Sequence, residues 1–149
     1  MARRVYFDVC ALSRPLDDQS QARVRLEAEA VEHLLRAVGA GNLHWISSEV
    51  VRFEIARCLD DDRRAILRLL CQNATEHATL SDAATARARD LRSRGLRDLD
   101  ALHLAVAELA AAEVLLTTDD RFIRAVRNLR PVSSVRVENP ILFGAEVIE

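Results

Sequence analysis

The 149-residue sequence contains no lysine: all twenty-one of its basic residues are arginine. That absence removes every mechanism built on lysine, including P-loop nucleotidases, Schiff-base enzymes and phospho-receiver domains with their charge-compensating lysine. Glycine and proline are scarce, at four and three residues, and no serine-rich tract or fixed-period repeat occurs. Nothing therefore reads as a linker, and a single domain over residues 1–149 is expected. Cys10, Cys58 and Cys71 are odd in number and lack close pair spacing, which argues against a disulfide framework and a thiolate zinc site. A reduced, cytoplasmic setting is expected. Long apolar runs are missing too: only Val5, Tyr6 and Phe7 separate Arg4 from Asp8, too few for a signal peptide, and no stretch approaches a membrane span. The net charge of -2 offers no bulk attraction for a polyanion, so contact with nucleic acid must come from local patches.

What is present is a half-apolar composition, enough to bury a continuous core at this length. Val5 to Phe7 reads as a buried parallel strand with Asp8 at its exit. Arg14, Pro15, Asp17 and Asp18 read as a polar loop. Ser20 is a plausible cap for a helix carrying Val24, Ala28, Val31, Leu35 and Val38, which Gly39 and Gly41 stop. Leu43 to Ile46 predicts a second strand, after which Ser47 or Ser48 can cap a helix with Val51, Ile55 and Cys58 on its buried stripe. Asp60, Asp61 and Asp62 open the next helix at its positive dipole end. Asn73 to Leu80 stays ambiguous. Asp82 is expected to cap a helix through Arg94, ended by Gly95. The following helix, opened by Asp98 or Asp100, is apolar around nearly its whole circumference and so should be central. Val114 to Leu116 predicts a buried strand, Asp119 a helix start running to about Asn128, and Val135 to Val137 a last strand. Strands alternating with helices imply an α/β fold of three layers, with a mainly parallel central sheet flanked by helices.

Four acids share a kind of location in this pattern: Asp8 at a strand exit, Glu54 on an otherwise apolar helix stripe, Asp100 in a first turn, and Asp119 between strand and helix. Clustered carboxylates repel, and their burial is costly unless a cation sits among them. Oxygen donors favour hard ions, so Mg2+ or Mn2+ is the natural occupant. Read singly, Asp119 is a helix cap, and only membership in a set reverses that, whereas Asp8 reads equally as a loop acid bonding backbone amides and as a site acid. Asp98 is the better cap of its pair; the two point about 200° apart on a regular helix, so one can cap while the other faces the site. His103, one turn past Asp100, reads as a hydrogen-bonded core histidine.

The motifs resemble those of PIN-domain proteins of the VapC-like class of small endoribonucleases, over nearly the whole chain. YFDVCALSRP at Tyr6 to Pro15 is similar to the family's opening strand with its first acid, Asp8. SEVVRFEI at Ser48 to Ile55 resembles the second motif and gives the acid position to Glu54 rather than Glu49. DALHLAVA at Asp100 to Ala107 resembles the third and LLTTDDRF at Leu115 to Phe122 the fourth, which selects Asp100 over Asp98 and Asp119 over Asp120. One departure is visible: many relatives follow the first acid with a small polar pair, where this chain has Val9 and Cys10.

The resemblance implies a PIN-like fold and metal-dependent cleavage of RNA phosphodiester bonds. Asp8, Asp100 and Asp119 would form the main shell for Mg2+ or Mn2+, with Glu54 as a further ligand or as the group orienting the water. It also implies a toxin of a toxin-antitoxin pair, a homodimer, and a cognate antitoxin whose C-terminal segment covers the acidic site. Arg14, close to Asp8 in sequence, is the preferred single RNA phosphate contact. Arg121, Arg124, Arg127 and Arg130 recur every third residue and precess around their helix, which argues against one flat patch. The alternative from another class is a non-catalytic RNA-binding or scaffold domain that keeps the PIN fold.

Overall fold

The computed structural model describes residues 2–147. Five parallel strands form one sheet in the order β3-β2-β1-β4-β5, built from β1 (Arg3–Phe7), β2 (Leu43–Ser48), β3 (Glu76–Ala78), β4 (Val114–Leu116) and β5 (Arg136–Glu138). Eight helices among the described residues flank it: α1 (Val9–Ser13), α2 (Ala22–Gly39), α3 (Glu49–Ala56), α4 (Asp61–Cys71), α5 (Asp82–Ser93), α6 (Asp98–Leu109), α7 (Asp120–Arg127) and α8 (Pro140–Gly144). The fold is three-layer α/β. Chain order explains the layers. From β1 the strands step one way to β2 and β3, then return past β1 to β4 and β5, and right-handed crossovers send the helices of the two runs to opposite faces.

The central strands are apolar because both faces are covered. Val5, Tyr6 and Phe7 of β1, and Val114, Leu115 and Leu116 of β4, have no solvent exposure. Phe7 meets the Trp45 ring of β2 edge to face at 5.6 Å between centroids. The register sets Phe7 opposite Leu116, so β1 and β4 end together, and the Asp8 N–H continues the ladder onto the Leu116 carbonyl at 3.1 Å. β1 and β4 are also where the strand order reverses. In open parallel sheets, the crevice beyond the carboxyl ends at such a point is where ligands collect.

Several local expectations shift. Asp8 caps α1, and of the expected polar loop Arg14–Leu16 forms a 3-10 turn with Pro15 near its start, where a missing N–H costs nothing, while Asp17 and Asp18 are irregular. Ser20 does not cap α2; its N–H is taken by Asp18, and α2 starts at Ala22 after Gln21, with no side-chain cap. Gly39 stays inside α2, and the turn falls at Gly41, whose φ of +82° suits glycine. Ser48 is the cap of α3, which ends at Ala56, short of Cys58. Ser81, not Asp82, caps α5, and Asp98 is the first residue of α6 rather than its cap, with its carboxylate on Arg92 at 2.6 Å. The ambiguous segment supplies edge strand β3, held by its ladder to β2. The last strand sits one residue later than expected, and Asn139 with Pro140 begins a helix, α8, that was not expected.

Candidate active site

Three of the four candidate acids stand at helix starts just past the sheet edge, for the same physical reason. Amides of a first helical turn lack carbonyl partners, and a carboxylate at or near that turn supplies them or sits in their positive field. Asp8 accepts the Ala11 N–H at 2.9 Å, and Asp119 accepts the Arg121 and Phe122 N–H groups at 2.9 and 3.4 Å. Asp100 lies in the first turn of α6. Glu54 reaches the same region from α3. Their sequence neighbours are held elsewhere: Asp98 by Arg92, Asp120 by both Nη atoms of Arg23 at 2.9 Å, and Glu49 by the Leu80 N–H.

The four carboxylates share one electrostatic field. Asp8 is 4 % exposed, and burial pushes its pKa up to about 7; His103, the Thr117 hydroxyl and the Ala11 N–H pull it partly back, while the Glu54 charge raises it. Burial also lifts Asp100 to about 6, with Asp119 and Glu54 adding to the rise and His103 and Arg97 opposing it. The Cys10 thiol is raised first by Asp8 and then by burial, and Glu54, Asp119 and Asp100 all act on it in the same sense. Thr117 was not singled out from sequence. It is fully buried, receives the Asp119 N–H at 3.1 Å and lowers Asp8, so it links two acids. Only its place in the LLTTDD motif could have flagged it.

Glu54 is held from behind. Its Oε1 takes Nε2 of His103 at 2.8 Å, and Nδ1 of that ring meets the Tyr6 hydroxyl at 2.6 Å. His103 is a hydrogen-bonded core histidine, 2 % exposed, and it is also attached to the site. Arg14 is placed differently from the free cation its sequence position suggested. Its Nε bonds Glu27 at 2.8 Å and its Nη1 bonds Asp17 at 3.2 Å. Glu27 has no solvent exposure and also binds Arg23 and Asn139, so Arg14 neutralises a buried acid.

Positive charge near the acids comes from other arginines. A pocket of about 220 Å³ is lined by Gly95, Arg97, Asp100, Arg121, Arg124 and Ala125. Arg121 and Arg124, three apart on α7, are near neighbours on one face, whereas Arg127 reaches toward Glu138 and Arg130 bonds the Arg127 and Leu129 carbonyls. The precession expected from spacing alone therefore still leaves two arginines together. Arg97 lies 4.0 Å from the Asp119 carboxylate.

The donor set fits a hard divalent cation in kind: carboxylate oxygens, two of them with pKa values raised by burial and by neighbouring carboxylates. Among the described residues, no group of three His, Cys, Asp or Glu side chains is already arranged to hold an ion.

The PIN domain, as a sequence family, matches residues 5–128. The chain belongs to the PIN domain family. Solved structures agree on the architecture of this PIN domain. It is similar to VapBC2 from Rickettsia felis, solved bound to a DNA fragment from the promoter, with 15% identity, TM-score 0.57, and coverage of 91% of this chain and 98% of that one. It is also similar to VapC20 from Mycobacterium tuberculosis, described as a sarcin-ricin loop cleaving toxin, with 14% identity, TM-score 0.59, and coverage of 89% and 98%. PAE2754 from Pyrobaculum aerophilum gives 20% identity and TM-score 0.50 over 99% and 100% of the two chains. At these identities the structures establish the fold. No curated protein sequence matches this PIN domain significantly.

Proposed function

We propose that this PIN domain is a metal-dependent endoribonuclease acting as the toxin of a toxin-antitoxin pair. The observation that carries the reading is one cluster at the sheet's switch point: four carboxylates in a common field beside a pocket with three arginines. Asp8, Asp100 and Asp119 would hold Mg2+ or Mn2+, which when bound acidifies a water and offsets charge on the phosphate. Glu54 has one oxygen on His103 and keeps Oε2 to orient a water and accept its proton. Arg97, Arg121 and Arg124 bind phosphates of the chain on either side of the reacting one, a task guanidinium geometry suits. Arg14, already committed to Glu27 and Asp17, would reach a phosphate only by leaving them.

The toxin assignment draws support from the likeness to VapBC2 and VapC20. It brings with it an antitoxin partner over the acidic site, a homodimer and a cytoplasmic location. Among the described residues, no helix is long and apolar enough to cross a membrane, and all three cysteines are free thiols.

Incubation of the purified protein with structured RNAs, in Mn2+ and in EDTA, beside Asp8→Asn and Asp100→Asn, tests the reading. Cleavage should require the ion and fall by about 100-fold or more in each variant, as removal of a group supporting transition-state charge does. Cleavage that persists in chelator and in both variants removes the nuclease reading. Binding of RNA without cleavage in Mn2+ favours the scaffold alternative.

A further inference from the structure

The core side of the acidic cluster carries a hydrogen-bonded chain that joins four elements: Ser48 at the end of β2, Tyr6 of β1, His103 of α6 and Glu54 of α3. The distances are 2.7 Å from Ser48 Oγ to Tyr6 Oη, 2.6 Å from Tyr6 Oη to His103 Nδ1, and 2.8 Å from His103 Nε2 to Glu54 Oε1. Ser48 and Tyr6 have no solvent exposure, so each hydrogen in the chain has to find its acceptor inside the protein.

Donor accounting sets the direction. Ser48 Oγ already accepts the Val51 N–H as the cap of α3, at 3.1 Å, and its own hydrogen has Tyr6 Oη to go to. With the Ser48 hydrogen on its oxygen, the Tyr6 phenol gives its own hydrogen to Nδ1 of His103, its only other partner in the chain. Nδ1 is then an acceptor, and the ring hydrogen must sit on Nε2, pointing at the Glu54 carboxylate. In the opposite direction the Ser48 hydrogen would be buried without a partner.

We propose that His103 is the positioning residue for Glu54, locked in its Nε2–H tautomer by Ser48 and Tyr6 so that one carboxylate oxygen is fixed and the other is presented to the acidic cluster. The helix cap thereby sets the aim of an active-site acid at the far end of the chain. Outer partners of this kind fix ligand orientation at metal sites generally. The proposal rests on the nuclease reading for its consequence, but its geometry can be read without any reaction.

The test has two arms. In the first, long-range 1H–15N spectra of the metal-free protein at about pH 8, above the usual imidazole range, should show His103 with bare Nδ1 and protonated Nε2, and Tyr6→Phe should mix the tautomers. A hydrogen on Nδ1 of the unsubstituted protein overturns the proposal. In the second, Mn2+ affinity is measured by calorimetry for His103→Gln, whose amide nitrogen can occupy the Nε2 place, and for His103→Asn, whose amide is too short to do so. The Asn variant should bind about 10-fold to 100-fold more weakly, as loss of an outer-shell partner does, with the Gln variant close to the parent. Equal affinity for both variants overturns the proposal. If the parent protein binds Mn2+ with the expected Gln and Asn pattern but cuts no RNA, the nuclease reading fails and the positioning role stands.

Discussion

The Asp8 carboxylate serves two ends that pull against each other. It caps α1 through the Ala11 N–H, which favours its presence, and it sits buried in the field of Glu54, which disfavours its charge. Asp8→Asn keeps an oxygen for the cap and removes the charge. The metal-free variant should therefore be more stable than the metal-free parent at about pH 8, by an amount on the order of 1–3 kcal/mol. Urea denaturation in EDTA measures this, and an equal or lower stability would show that Asp8 is no burden to the fold. Arg14 teaches the converse lesson. Its closeness to Asp8 in sequence suggested a role at the phosphate, yet its guanidinium closes on Glu27, a buried acid thirteen residues further on in α2. Nothing local marks Glu27 as buried among so many surface glutamates, so that pairing was not legible.

Elements place these residues by where they start. α1 begins at the end of β1 and α7 shortly after the end of β4, and α6 is opened by Arg97 without a side-chain cap. α7 also carries Arg121 and Arg124 into the pocket beside Asp100. Arg121→Ala with Arg124→Ala should weaken binding of a single-stranded RNA in EDTA. It should also lower the slope of log affinity against log salt by roughly 0.7 for each phosphate that is no longer neutralised. Fluorescence anisotropy across a salt series gives the slope, and an unchanged slope would remove these arginines from the interface. The helix starts themselves were partly legible. Asp119 and Ser48 hold the caps expected of them, whereas Ser20, Asp82 and Asp98 do not, because a serine or aspartate near a boundary signals a helix start to within a residue or two only.

At the scale of the whole molecule, the acidic cluster couples stability to pH and, on the nuclease reading, should couple it to divalent ions. An unfolded chain releases the Asp8 and Asp100 protons near 3.8, whereas the fold holds them to about 7 and about 6. The folded state therefore binds more protons between those values. This contribution is fullest at low pH and is lost as pH rises through the window. Surface acids drawn down by arginines, such as Asp90, Asp120 and Glu146, are ionised in both states above about pH 5 and add no slope there. The metal-free protein should lose melting temperature between about pH 5 and about pH 8, and Mn2+ should restore it mainly at the upper end, where ionised carboxylates can bind it. Thermal melts in EDTA and in Mn2+ at the two pH values check the sign, and a metal-free protein more stable at pH 8 would contradict it.

By itself the sequence determined the α/β class and the buried strands Val5 to Phe7 and Val114 to Leu116, because period and composition are local properties that burial on both faces imprints on the chain. It also determined which residues resemble the PIN motifs. Only the tertiary structure decided which polar groups meet. Edge strand β3 exists through its ladder to β2, Thr117 links Asp8 with Asp119, and the chain from Ser48 through Tyr6 and His103 ends on Glu54. The physical reason is that a hydrogen bond or ion pair reads distance in space. Tyr6 and His103 are ninety-seven residues apart, and no periodicity carries information across that separation.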